Sequence, residues 1–157
     1  MRLYFLRHAE ANPGADDAAR ELTERGEKQS CQIGKFLQQA GIEFDSAYSS
    51  PLVRARQTAE LVLKITNGST AAKLQIVDAL TNETAQTGFN RWLGEIPDVK
   101  HVLLVGHAPS MPERVRALLG IQGGEAFDMP KGGLACIKTD DRRLGALKFF
   151  ISPKILS

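Results

Sequence analysis

The chain has 157 residues, 20 Lys+Arg against 18 Asp+Glu for a formal net charge of +2, 43% hydrophobic and 24% charged residues. That is the make-up of one ordinary globular domain, and it excludes a disordered chain or a multidomain architecture. A chain this long buries roughly 70% of the surface its unfolded form exposes, so it needs neither a disulfide framework nor a structural metal. So small a charge excess also leaves out a dedicated nucleic-acid or membrane-surface binder, and makes any charge-based function local.

The cysteines, Cys31 and Cys136, are too few for a thiolate metal site and read as reduced, half-buried thiols. The apolar run at Met1 to Leu6 is too short for the core of a signal peptide, and no run of 18 apolar residues spans a bilayer. The expected location is the cytoplasm.

Leu3 to Leu6 is apolar without alternation, which predicts a strand buried on both faces of a parallel sheet, stopping at Arg7-His8. The polar stretch from Ala9 to Arg20 reads as a loop. Leu22 to Gly26 then opens a helix with Thr23 as N-cap, and Ile33, Phe36, Leu37 and Ala40 recur at helical spacing up to Gly41. Phe44 to Tyr48 reads as a strand. Pro51 in the first helical position starts a second helix, in which Val53, Thr58, Leu61 and Leu63 supply buried surface up to Asn67-Gly68. Leu74 to Val77 is a third strand, and Phe89, Trp92, Leu93 and Ile96 mark a helix ending before Pro97. His101 to Val105 is the clearest strand and runs into Gly106-His107. A helix follows from Ser110 to Leu119, closed by Gly120; Leu134 to Lys138 and Ala146 to Ile151 form a hairpin with Arg142-Arg143 at its tip. This order predicts an α/β three-layer sandwich whose central sheet is mostly parallel with an antiparallel edge.

In such sheets ligands bind at the carboxyl ends of strands. Arg7 and His8 follow the first strand, Arg54 and Arg56 lie in the helix after the second, and His107 follows the fourth. Two imidazoles and two or more guanidiniums crowded at one edge require an anion to neutralise them, and a phosphate dianion suits the planar guanidinium fork. The N-terminus of the helix at Pro51 would add its dipole. Arg54 and Arg56 point about 200° apart on a helix, so only one can face the site, and position alone does not say which. The candidate nucleophiles are His8 and the hydroxyls of Ser49 and Ser50. A neutral imidazole with its second nitrogen held by an acceptor attacks phosphorus well, while a cationic His107 would stabilise charge on the transferring oxygens.

Leu6-Arg7-His8-Ala9-Glu10-Ala11, the stretch Ser50-Pro51-Leu52-Val53-Arg54-Ala55-Arg56-Gln57-Thr58-Ala59, and Val105-Gly106-His107 together resemble the histidine phosphatase superfamily, which includes phosphoglycerate mutases and acid phosphatases. Leu22 to Gly26 resembles the family's segment ahead of its first helix. The resemblance implies a phosphoglycerate mutase-like fold, His8 as the nucleophile that becomes phosphorylated, Arg7 and Arg54 as phosphoryl ligands, His107 completing the pocket, and Arg56 at the surface. Ala9 stands where most relatives have Gly, a change that is tolerated if the backbone there does not need positive φ. The segment between Val77 and Trp92 is too short for the insertions that roof the site in larger members. The expected pocket is therefore open, as in SixA-type phosphohistidine phosphatases, which accept phosphohistidine on a protein such as the phosphotransfer domain of a sensor kinase.

Glu83 is the positional candidate for a general acid. An ester leaving group needs one, whereas a weakly basic imidazole can leave already protonated. Glu10 and Asn12 are candidates to line the phosphate loop, Asn12 as a substrate-binding residue. A metal site from His8, His101 and His107 is set aside because the adjacent guanidiniums repel a cation, and the mechanism calls for no cofactor. The expected substrate is a phosphorylated protein domain carrying phosphohistidine. The alternatives are a phosphatase of small phosphoesters or phosphoserine that uses Glu83, and a non-catalytic phosphoprotein-binding module. Neither nucleic acid nor membrane is an expected partner.

Overall fold

The apolar run near the N-terminus becomes one of the two central strands of a six-stranded sheet. The computed structural model describes residues 1–68 and 74–156. In β1 (Arg2–Arg7), Leu3, Phe5 and Leu6 have no exposed surface and Tyr4 has 1%. A strand buried on both faces has to lie between two covering layers. Beside it run β4 (His101–Gly106), parallel, and β5 (Leu134–Thr139), antiparallel. Beyond β4 lie β2 (Ser46–Ser49) and β3 (Leu74–Ile76), both parallel, and beyond β5 lies β6 (Gly145–Ile151), antiparallel to it. The order is β3-β2-β4-β1-β5-β6.

The helices are α1 (Glu24–Gln39), α2 (Val53–Thr66), α3 (Gln86–Glu95), α4 (Ser110–Leu119) and the short α5 (Pro153–Leu156). Side-chain alternation along the strands sorts the core into two halves. Tyr4, Leu6, Leu103 and Val105 pack with Ile33 and Leu37 of α1 and with Ala59, Val62 and Leu63 of α2. Leu3, Phe5, Val102 and Leu104 pack with Phe89 and Leu93 of α3 and with Met111 and Val115 of α4. Each large side chain buried this way contributes about 1.5–3 kcal/mol. The result is the expected three-layer α/β sandwich with a mostly parallel sheet.

Local chemistry sets the element ends. Thr23 caps α1 by accepting the Gly26 N–H at 2.9 Å, and Gly120 closes α4 at φ +67°. Two local expectations need correction. Helix α2 starts at Val53 rather than at Pro51, because the Ser50 hydroxyl accepts the Leu52 N–H at 3.1 Å and holds residues 50–52 in a turn. Within α2 the buried face is Arg54, Ala55, Thr58, Ala59, Val62 and Leu63, with Val53 and Leu61 only half-buried. Arg142 and Arg143 lie at the tip between β5 and β6 as expected, and the Arg142 guanidinium donates to the carbonyls of Leu93 at 2.8 Å and Ile96 at 2.6 Å, satisfying the open end of α3. No helix among the described residues is long and apolar enough to cross a membrane.

Candidate active site

The register of β1 against β4 pairs Arg7 with Gly106, so the residues that follow, His8 and His107, leave the sheet side by side. Their ring centroids are 5.0 Å apart, and both rings are buried. The backbone around His8 is fully engaged. His8 N–H donates to the Gly106 carbonyl at 3.0 Å, and Gly132 N–H donates to the carbonyls of Arg7 and His8 at 3.2 and 3.1 Å. Ala9 N–H donates to the Thr58 hydroxyl at 3.1 Å, and that hydroxyl donates to the Arg54 carbonyl at 2.7 Å. Ala9 keeps a negative φ, so its methyl costs no backbone strain. Gly26 is required by proximity: a Cβ there would lie 2.0 Å from the Glu10 carbonyl oxygen, so only glycine lets α1 close against the loop that follows His8.

The His8 ring is oriented from both ends. Its Nδ1 lies 2.7 Å from the Ala9 carbonyl oxygen, which can only accept, so Nδ1 carries the proton and Nε2 the lone pair. Arg54 Nε–H points at that Nε2 from 3.4 Å. Of the two α2 arginines it is therefore Arg54, only 7% exposed, that faces the histidines. Arg56 is half-buried rather than on the surface, with its Nε buried. The Arg54 guanidinium also donates to Asp17, to the backbone carbonyl at 2.7 Å and to the carboxylate at 3.2 Å. Asp17 sits in a single 3-10 turn, Asp17–Ala19, inside the stretch read from sequence as a plain loop. Nothing in its local pattern signals that docking, because a polar loop carries no periodicity to read.

Arg7 donates to the Met129 carbonyl at 2.8 Å, while its Nε is buried without a partner among the described residues. His107 Nε2 lies 2.7 Å from the Ser50 hydroxyl, and His107 Nδ1 is buried without a partner among the described residues. Ser50, one of the candidate nucleophiles, is thus a partner of His107, and the Ser49 hydroxyl is turned away to the Ser50 carbonyl at 2.8 Å. Buried polar atoms normally find a partner. Arg7 Nε, Arg56 Nε and His107 Nδ1 have none among the described residues, and of these Arg7 and His107 belong to the cluster around His8, where an anion would give them an acceptor.

Glu83 is exposed, on a segment tied to the His107 loop through Asn82, whose amide donates to the Ala108 carbonyl at 2.9 Å and whose oxygen accepts the Ser110 hydroxyl at 2.8 Å. Arg114 holds the same segment from behind through the Thr84 carbonyl and Gln86, at 3.0 Å to the latter. Asn12 is exposed, and its amide donates to the Leu22 carbonyl at 3.4 Å. Glu10 accepts the Thr23 hydroxyl at 3.0 Å and lies 3.6 Å from Arg25. His101 opens β4 at the far end of that strand, half-buried, with its Nδ1 2.9 Å from the Tyr4 hydroxyl.

Burial pushes the His8 imidazole down to about 3, helped by the charges of His107, Arg54 and Arg7 and opposed by the Ala9 carbonyl. Burial, then Arg54, pushes His107 down to about 4, with Asp17 and Glu83 acting the other way. The expectation of one neutral and one charged histidine is therefore not met in the unliganded protein, where both rings are neutral near neutral pH. Below 6.5 the unfolded chain takes up protons on these histidines that the folded site refuses, so stability is complete above that pH and declines as pH falls toward about 4. Thermal melts in phosphate-free buffer should show a lower Tm at about pH 5 than at about pH 7.5. The gap should shrink in a His8→Asn/His107→Asn double variant.

The family profile of the histidine phosphatase superfamily (branch 1) matches residues 3–84. An uncharacterized protein of Picosynechococcus sp. (strain ATCC 27264 / PCC 7002 / PR-6) is 34% identical over 99% of both chains. Among solved structures, the protein histidine phosphatase SixA complexed with tungstate superposes with a TM-score of 0.90 over 100% of both chains at 24% identity. The putative phosphohistidine phosphatase SixA from Agrobacterium tumefaciens superposes with a TM-score of 0.81 over 97% of both chains at 27% identity. With its paired histidines emerging from adjacent strands of a SixA-like fold, the chain belongs to the histidine phosphatase superfamily.

Proposed function

We propose that the protein is a phosphatase of phosphohistidine carried on a protein, working through a covalent phosphoryl group on His8. The observation that carries this reading is the His8 tautomer: Nδ1–H held by the Ala9 carbonyl leaves the Nε2 lone pair facing the anion cradle. A module built only to hold phosphate has no use for an imidazole locked in this way.

In the first step His8 Nε2 forms a bond to phosphorus as the bond from phosphorus to the substrate imidazole breaks. The departing imidazole leaves carrying a proton. Arg54, Arg7 Nε and His107 line the cradle and stabilise the spreading oxygen charge, which is where most catalysis of phosphoryl transfer resides. The Ser50 hydroxyl accepts the Leu52 N–H and is hydrogen-bonded to His107 Nε2; once a bound anion charges the ring, Nε2–H donates to Ser50 and Nδ1–H to a phosphoryl oxygen. An anion bound there raises the His107 pKa, so the charged histidine expected from sequence belongs to the complex. In the second step water attacks the phosphohistidine and releases inorganic phosphate, returning His8 to its neutral form.

The SixA structures, one described as a protein histidine phosphatase and one as a putative phosphohistidine phosphatase, support this substrate class. So does the shortness of the connection from Val77 to α3, which holds a 3-10 turn at Asp78–Leu80 and a turn at Asn82-Glu83 and no inserted helix or strand. Glu83 favours a second reading, hydrolysis of small phosphoesters or phosphoserine, because its charge acts on His107. The readings separate on one variant. Glu83→Gln should slow phosphoserine-peptide hydrolysis about 100-fold while leaving phosphohistidine turnover within about threefold. Equal slowing of both substrates, in steady-state phosphate release, would reject the phosphohistidine reading.

A further inference from the structure

The polar loop after His8 carries a carboxylate, Asp17, to which the two steps above give no part. Residues 12–21 are closed at their base, where Ala11 and Leu22 form an antiparallel bridge and Asn12 N–H donates to the Glu21 carbonyl at 2.8 Å. That base is tied to α2. Leu22 N–H donates to the side-chain oxygen of Gln57 at 2.8 Å, about one helical turn beyond Arg54. The loop then reaches back over α2, and its 3-10 turn, Asp17–Ala19, meets the Arg54 guanidinium.

Asp17 holds Arg54 at two points. Its carbonyl accepts Arg54 Nη1 at 2.7 Å and the Arg20 N–H at 3.3 Å, which uses both of that oxygen's lone pairs. One carboxylate oxygen accepts Arg54 Nη2 at 3.2 Å, and the other accepts Arg20 Nη1 at 3.0 Å. Arg20 is fixed in turn, its Nε–H donating to the Asn12 carbonyl at 2.7 Å. A guanidinium is a planar fork whose five N–H directions are set relative to one another, so two acceptors at its end fix where its side points. Here the Nε–H is aimed at His8 Nε2 from 3.4 Å. The Arg54 side chain is 9% exposed and that of Asp17 66%, which puts the carboxylate on the solvent side of the guanidinium and the His8 ring on the buried side.

We propose that Asp17 is a positioning residue of the phosphatase reaction: it grips the end of the Arg54 fork so that the side formed by Nε and the second Nη2 hydrogen faces the phosphoryl group passing to His8. The inference rests on the reading of Arg54 as a phosphoryl ligand, and it holds whether that group arrives on phosphohistidine or on an ester. An ion pair with so exposed a carboxylate contributes little to stability. Misplacing a group at the reacting centre by about 1 Å, by contrast, costs up to about 10²-fold in rate. Asp17 therefore matters to turnover far more than to folding. A carboxylate that merely competed with the phosphoryl group for Arg54 would act the other way, and its removal would speed the reaction.

The test follows phosphate release from a histidine-phosphorylated phosphotransfer domain or from a phosphoserine peptide, whichever the wild-type enzyme turns over faster, in Asp17→Ala, Arg54→Ala and the double variant. Asp17→Ala should lower kcat/KM about tenfold or more, through kcat, while its Tm stays within about 3 °C of wild type. In the Arg54→Ala background the same substitution should cost nothing further, because a residue that acts through Arg54 then has nothing to hold. Three results would overturn the positioning role: an Asp17→Ala enzyme as fast as wild type or faster, a loss confined to KM, or a full further loss in the Arg54→Ala background. Unimpaired turnover by Arg54→Ala would instead remove Arg54 as a phosphoryl ligand, and the inference with it. Release from neither substrate by the wild-type enzyme would remove the phosphatase reading itself.

Discussion

His8→Ala is expected to lower turnover by at least about 10⁴-fold, because removing a nucleophile leaves only the residual catalysis of a binding site that still holds its substrate. The substitution deletes the one lone pair facing the cradle, Nε2, together with the Nδ1–H donation to the Ala9 carbonyl. The loop should keep its shape, since Ala9 N–H, Gly132 N–H and His8 N–H retain their backbone and Thr58 partners. Two measurements check the prediction: steady-state phosphate release, and acid-labile phosphate on the enzyme after rapid mixing with phosphodonor. Both should vanish together in the variant. Turnover at the wild-type rate would dismiss the covalent route.

Arg54→Ala should be nearly as damaging, with kcat/KM reduced about 10³-fold or more, the scale on which an arginine acts at a transferring phosphoryl group. Arg54 serves three contacts at once: Nε toward His8 Nε2, and the two terminal nitrogens on the Asp17 carbonyl and carboxylate. Arg54→Lys should recover little, because an ammonium cannot reproduce a planar fork that serves several acceptors in fixed directions. The readout is kcat/KM for Arg54→Ala and Arg54→Lys beside Arg56→Ala. The last should stay near wild type, since among the described residues no hydrogen bond joins Arg56 to either histidine. Loss in Arg56→Ala equal to that in Arg54→Ala would refute the assignment.

The candidate site was legible in the sequence because its histidines each follow an apolar run. Leu3 to Leu6 points to Arg7 and His8, and Val102 to Val105 points to His107. Thr23 announced α1 through its own chemistry. Other features depend on partners distant along the chain and leave no local trace. Ser50 and His107 meet across 57 positions, and Arg54 reaches Asp17 across 37. The neutrality of His107 depends on how deeply the fold buries it. Arg142 reads as part of a hairpin tip, which it is, but nothing local tells that it also closes α3 through carbonyls 49 and 46 positions away.

The strand that delivers His8 is gripped from both sides, its odd residues held by one pair of helices and its even residues by the other. Neither layer can loosen without the opposite layer still pinning the backbone on which the ring is mounted. Heat or denaturant therefore finds no intermediate stage in which the imidazole drifts while the rest of the molecule stands. Inactivation and global melting should coincide as one cooperative event.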